Sequence, residues 1–223
     1  MALRGTLDIG YYSQYISSMS GATAYDKSDF QESFTLSLEP VGLYFSAWDA
    51  YSPNGSFNGD FGDEIDYTLG IKRQLKGFTF NAGYAFYNMY NLKNVKGDLH
   101  GIFLNTQFPK VYGITPFLNL EKDIPDNIGE GGFLYRAGLG YTINIAKQPL
   151  DMNFSLAGHD GAYGKKVEAI SSTRFSLATD IKLWKFTITP AGNFQRRLGH
   201  SVQDGGMTEN KIWYGVNVSL PLF

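Results

Sequence analysis

Ile212-Trp213-Tyr214-Gly215-Val216-Asn217-Val218-Ser219-Leu220 sets Ile, Tyr, Val, Val and Leu on its even positions against Trp, Gly, Asn and Ser on its odd ones. Successive side chains of a strand point to opposite faces, so the run reads as a strand with one face for hydrocarbon and one for water. Phe78-Thr79-Phe80-Asn81-Ala82-Gly83-Tyr84-Ala85-Phe86 and Ile65-Asp66-Tyr67-Thr68-Leu69-Gly70-Ile71-Lys72 repeat the pattern. A helical period is sustained nowhere. A soluble sandwich would alternate in the same way, so the connections must decide.

Outward from these segments, alternation predicts strands at roughly 4–15, 30–39, 41–49, 64–74, 78–88, 98–107, 112–122, 132–143, 150–159, 172–183, 186–196 and 210–222. Two kinds of connection join them in strict turn. Short ones fall at Glu39-Pro40-Val41, Leu75-Lys76-Gly77, Phe108-Pro109-Lys110, Asn144 to Pro149 and Trp184-Lys185. Long polar ones occupy about 16–29, 50–63, 89–97, 123–131, 160–171 and 197–209. Sandwiches have no reason to sort loop length by end. Outer-membrane barrels do, with short periplasmic turns and long extracellular loops. The expectation is one all-β domain over 1–223, a transmembrane antiparallel up-and-down barrel of about twelve strands.

Composition agrees. Aromatics make up 16% of the chain, with 15 Tyr and 17 Phe beside 26 Gly, which suits strands, interfacial girdles and tight turns. Mean hydropathy is only -0.21. No stretch reaches the roughly 18 consecutive apolar residues of a membrane helix, and a barrel needs none, because only alternate residues face lipid. A net charge of -2 without a basic run argues against nucleic acid as a partner. With no cysteine, thiol catalysis and Cys-bound zinc are excluded. Met1-Ala2-Leu3-Arg4 leads straight into alternating sequence, and the reading is a secretion signal replaced by a start codon. The final Ser219-Leu220-Pro221-Leu222-Phe223 resembles the terminal aromatic signal of bacterial outer-membrane barrels, although Phe223 falls on the polar phase.

Gly62-Asp63-Glu64-Ile65-Asp66-Tyr67-Thr68-Leu69-Gly70, followed by Phe78 to Tyr87, is similar to a Gcw_chp-like family of uncharacterised proteobacterial outer-membrane proteins. Gly10-Tyr11-Tyr12-Ser13-Gln14-Tyr15-Ile16-Ser17 and Gly42-Leu43-Tyr44-Phe45-Ser46-Ala47-Trp48 resemble the same family's first half. The resemblance covers about the first 90 residues. It implies a barrel in the bacterial outer membrane and no substrate. In size the chain is also similar to twelve-stranded channels for nucleosides or acidic oligosaccharides.

If the apolar phase meets lipid, Leu69, Ile71, Phe80, Leu139, Leu177, Ile188 and Val216 face outward. Asp66, Lys72, Asn81, Glu121, Arg136, Arg174, Asp180, Lys182 and Asn217 then line the interior, with Tyr44, Trp48, Tyr87 and Trp213 among the inward aromatics. Mixed charges of this kind either satisfy one another in a filled interior or bound a narrow wet pore that selects solutes. Glu121 and Arg136, on consecutive strands, are expected at one level of the rim.

Three further readings are weighed. His159-Asp160, with Ser155 or Ser172 nearby, could couple a base to a carboxylate, but no Gly-x-Ser-x-Gly elbow accompanies them. Asp60, Asp63 and Glu64 form a weak calcium candidate in a Gly-rich loop, with no EF-hand pattern. No cofactor is implied. The expected function is a porin-like channel for small hydrophilic solutes, its lasting partner being the bilayer or lipopolysaccharide. A non-conducting barrel for adhesion, anchoring or complex assembly through the long loops is the alternative, and an outer-membrane hydrolase the third.

Overall fold

Each alternating segment pairs antiparallel with its neighbour in the chain. The computed structural model describes residues 1–53, 63–90, 97–124, 131–160, 169–198 and 209–223. The strands are β1 (Ala2–Tyr12), β2 (Tyr15–Ile16), β3 (Thr23–Tyr25), β4 (Asp29–Glu39), β5 (Leu43–Tyr51), β6 (Asp63–Leu75), β7 (Phe78–Tyr90) and β8 (Gly97–Gln107). They continue with β9 (Ile114–Ile124), β10 (Phe133–Ile145), β11 (Gln148–Asp160), β12 (Ala169–Ala178), β13 (Ile181–Leu183), β14 (Phe186–Arg197) and β15 (Lys211–Pro221). Among the described residues there is no helix.

β1 pairs with both β4 and β15, Ile9 meeting Glu32 on one side and Val218 on the other, so the sheet closes on itself. β12 and β13 both lie along β14, as two pieces of one stave, and the 13-stranded sheet is therefore a closed barrel of 12 staves. The break falls at Thr179-Asp180, between two prolines. Pro149 and Pro190 have no N–H to give the ladder, so the Thr179 hydroxyl instead donates to Pro149 O at 2.6 Å. Elsewhere the short turns are tight. Lys76-Gly77, Tyr112-Gly113 and Ala146-Lys147 each hold two consecutive positive φ angles, the geometry of a two-residue hairpin turn whose twist matches its strands.

The barrel is apolar outside and polar inside. Leu69 (55% exposed), Leu139 (48%) and Ile102 (56%) stand on the outer surface, whereas Glu121 (5%), Arg136 (8%) and Gln195 (0%) are enclosed. That inversion of a soluble protein's core is the physical signature of a barrel solvated by lipid. Outward rings gather in bands near both ends. Tyr11, Phe30 and Tyr51 form a contiguous row at the long-loop end, and Phe78, Phe80 and Phe108 another at the short-turn end.

Inside, large rings lie along the wall over glycines of the adjacent strand. Tyr44 covers Gly70, Phe103 covers Gly83 and Phe117 covers Gly138. A Cβ at Gly83 would stand 2.4 Å from Leu69 O and 2.8 Å from the Phe103 ring. Gly83→Ala is therefore expected to cost about 1–3 kcal/mol, read as an earlier midpoint in a urea titration of lipid-refolded protein. An unchanged midpoint would mean that β6 and β7 can part without loss.

Candidate functional site

Strand parity delivers four carboxylates to the long-loop half of the lumen. Glu64 and Asp66 come from β6, two residues apart and so on one face. Glu121 and Asp123 come from β9 in the same way. All four line a cavity of about 410 Å³ together with Tyr15, Trp48 and Tyr87. The Tyr15 hydroxyl donates to Glu64 Oε2 at 2.8 Å, and Tyr87 donates to Glu121. Among the described residues no basic one lines this space.

Two enclosed arginines stand on the staves that follow, Arg136 on β10 beside β9 and Arg174 on β12. Arg136 and Arg174 are each 8% exposed, and among the described residues neither meets a carboxylate in an ion pair. Arg174 lies over the Trp213 ring, 4.7 Å from its centroid, and donates to Gln195 Oε1 at 3.2 Å. Among the described residues Arg136 Nε and Nη2 have no hydrogen-bond partner.

Inside the lumen runs the first long loop. Residues 13–28 turn inward through the small β2–β3 hairpin instead of standing clear of the barrel. Ile16 (7% exposed), Ser20 (1%) and Ala22 (5%) are buried within it. Side chains of β12 and β14 hold its backbone: Arg174 Nη2 donates to Ser17 O at 2.9 Å, Gln195 Nε2 to Gly21 O at 2.7 Å and Ser171 Oγ to Ser20 O at 3.4 Å. A β-bulge between β11 and β12 makes room for this contact, with Ser171 and Ser172 both fully enclosed there. The loop thus narrows the lumen at its charged level.

Towards the short turns, a second cavity of about 350 Å³ is lined by Lys72, Thr79, Asn81, Asn105, Gln107, Phe117, Asn119 and Asn153. Amides predominate, and one cation is present.

The nine expected lining residues thus occupy different levels. Asp66 and Glu121 border the acidic cavity; Arg136 stands on β10, the stave beside β9, and Arg174 on β12; Lys72 and Asn81 line the lower cavity. Asn217 donates to Asp8 Oδ1 at 3.4 Å. Asp180 and Lys182 are exposed near the short-turn mouth, Asp180 accepting from Thr189 at 2.6 Å. On the outer surface, Leu69, Ile71, Leu139, Leu177 and Val216 are exposed, while Phe80 and Ile188 are half-buried among neighbouring side chains.

Some expectations change. Glu121 stands opposite Leu134, and Arg136 opposite Asn119, so the two charges sit one inward position apart and form no ion pair. His159 and Asp160 cannot act as a couple. His159 stands opposite inward Leu134 and is 2% exposed, whereas Asp160 stands opposite outward Phe133 and is exposed. Ser155 and Ser172 are buried in the wall. Of the calcium candidate, Asp60 lies outside the described residues, as does the side chain of Asp63. Glu64 belongs to the lumen, not to the loop. Among the described residues no group of three His, Asp or Glu is placed to hold a metal ion.

Sequence reasoning missed Asp123 and the whole first loop. For Asp123 a signal existed: Asn119, Glu121 and Asp123 keep period two, but Lys122 on the outer phase hides it. Lys122 Nζ in fact lies over the outward Phe133 ring, 4.6 Å from its centroid. For the loop no period exists to read.

Fold and lumen together define a class: a transmembrane β-barrel of the outer-membrane porin architecture, with a polar, internally narrowed lumen. No protein-family profile matches the chain, so its first-half resemblance to Gcw_chp-like proteins finds no support there, and no curated protein matches either. Solved structures do. KdgM porin in complex with disordered oligogalacturonate superposes with a TM-score of 0.62 at 10% identity, over 98% of this chain and 99% of that one. NanC porin gives 0.60 at 14% identity, over 97% and 100%. The COG4313 outer membrane channel from Pseudomonas putida F1 gives 0.54 at 12%, over 100% and 97%. At such identities the likeness is one of fold.

Proposed function

We propose that this protein is an outer-membrane channel through which small hydrophilic solutes diffuse passively, narrowed by its first loop. The observation that carries the reading is unfilled polar space within the barrel. Cavities of about 410 and 350 Å³ lie in the two halves of the lumen, one lined by carboxylates and aromatics, the other by amides. A barrel built only to anchor its loops would gain by filling that space, because close packing stabilises an interior. The porin fold of KdgM and NanC supports the same reading, and the former is solved in complex with oligogalacturonate, a hydrophilic solute.

The seated first loop favours one second reading, a barrel that is shut and works through its remaining loops. Planar-bilayer recording separates them. Discrete conductance steps are expected from the refolded chain. Silence at every voltage, in the intact chain and in one lacking the loop segment 16–22, would overturn the channel and leave the non-conducting barrel.

A further inference from the structure

We propose that the acidic cavity is a binding site for organic cations, taking an ammonium or guanidinium group carried on an aromatic or alkyl body. The inference rests on the channel reading in that it names the solute class of that lumen. Glu64, Asp66, Glu121 and Asp123 bring four carboxylates to one enclosed space, and among the described residues no basic side chain lines it. Acidic residues alone do not make a site. Asp123 supplies the independent sign of a ligand: it is 7% exposed, borders the cavity, and among the described residues its carboxylate accepts no hydrogen bond and forms no salt bridge, the outward Lys122 acting on it only from beyond salt-bridge distance. Its neighbour Glu121 is already engaged by Tyr87, and Glu64 by Tyr15. Enclosing an ionisable group without a partner is costly, and a bound cation removes that cost.

The rest of the wall identifies the kind of cation. Tyr15 and Trp48 pack together with ring centroids 5.6 Å apart, and both border the cavity with Tyr87. Aromatic faces attract ammonium and guanidinium groups through the ring quadrupole, most strongly where water is excluded. Ile16, Met19, Leu99 and Leu134 complete an apolar surface that a hydrated metal ion would not use. A volume of about 410 Å³ lies within the range of small-molecule sites. Arg174, bonded to Ser17 of the first loop, and Arg136 are outside this lining.

Calorimetric titration of the detergent-refolded chain tests this with three matched probes: benzyltrimethylammonium, benzyl alcohol and benzoate. Saturable binding of the cation alone is expected, weakened at least tenfold by Asp123→Asn. Glu121→Gln, which keeps an acceptor for Tyr87, is expected to weaken it as well. Equal binding of benzyl alcohol, or an unchanged affinity in folded Asp123→Asn, would overturn the site. So would calcium that binds and displaces the probe, which would make the carboxylates a metal site. If neither variant folds, the comparison of the three probes on the intact chain still decides. Binding and conductance fail separately: a conducting barrel that binds no cation overturns the site and keeps the channel, and a silent barrel that binds it does the reverse.

Discussion

Removing the loop segment 16–22, bridged by two glycines, should raise single-channel conductance severalfold. The segment lies inside the lumen at its charged level, and its carbonyls are held by Ser171 and Arg174 of β12 and Gln195 of β14. Point substitutions should give a graded version. Arg174→Ala removes a hydrogen bond from a charged donor, worth about 1.5–3 kcal/mol, which is a roughly 10–150-fold shift towards the released loop. Gln195→Ala removes a neutral bond and should shift it less. The expected record is a wild type that flickers between narrow and wide levels, with dwell times in the wide level lengthening from Gln195→Ala to Arg174→Ala. Equal conductance in wild type and deletion would show that the loop does not set the constriction.

Leu69→Arg should destabilise the folded barrel by about 2–4 kcal/mol, the cost of a charged side chain on the lipid face near the bilayer midplane. Leu69 is 55% exposed on the outer face, midway along β6, with Phe45 and Tyr84 as its cross-strand neighbours. Val216→Arg, at 37% exposure in the middle of β15, should behave alike. Denaturant titrations in phospholipid vesicles provide the measure. A neutral result at both positions would mean that this face does not meet hydrocarbon, and with it the transmembrane reading would fall.

Both expectations start from side-chain parity, and parity was largely legible in the chain. The staves begin and end close to where alternation placed them. β11 was shortened because Asn144 to Pro149 read as a turn, whereas the structure turns only at Ala146-Lys147, two non-glycine residues in the left-handed region. The unbroken strand predicted over 172–183 is split at Thr179-Asp180, because its partners on both sides are prolines. Such a break depends on what lies opposite, and no single strand carries that information.

By itself, the sequence determined the class of fold, the order of staves, and the sorting of short and long connections. These are local properties: period two is imposed by the backbone, and the contrast between lipid and lumen is written one residue at a time. Tertiary structure decided the rest. The level at which each inward side chain stands follows from inter-strand register, which set Glu121 opposite Leu134 and Arg136 opposite Asn119. The inward course of the first loop follows from partners more than a hundred residues away, Ser171 with Ser20, Arg174 with Ser17 and Gln195 with Gly21. A closed barrel brings its first loop against its last staves, and contacts made by closure leave no periodic trace in the chain.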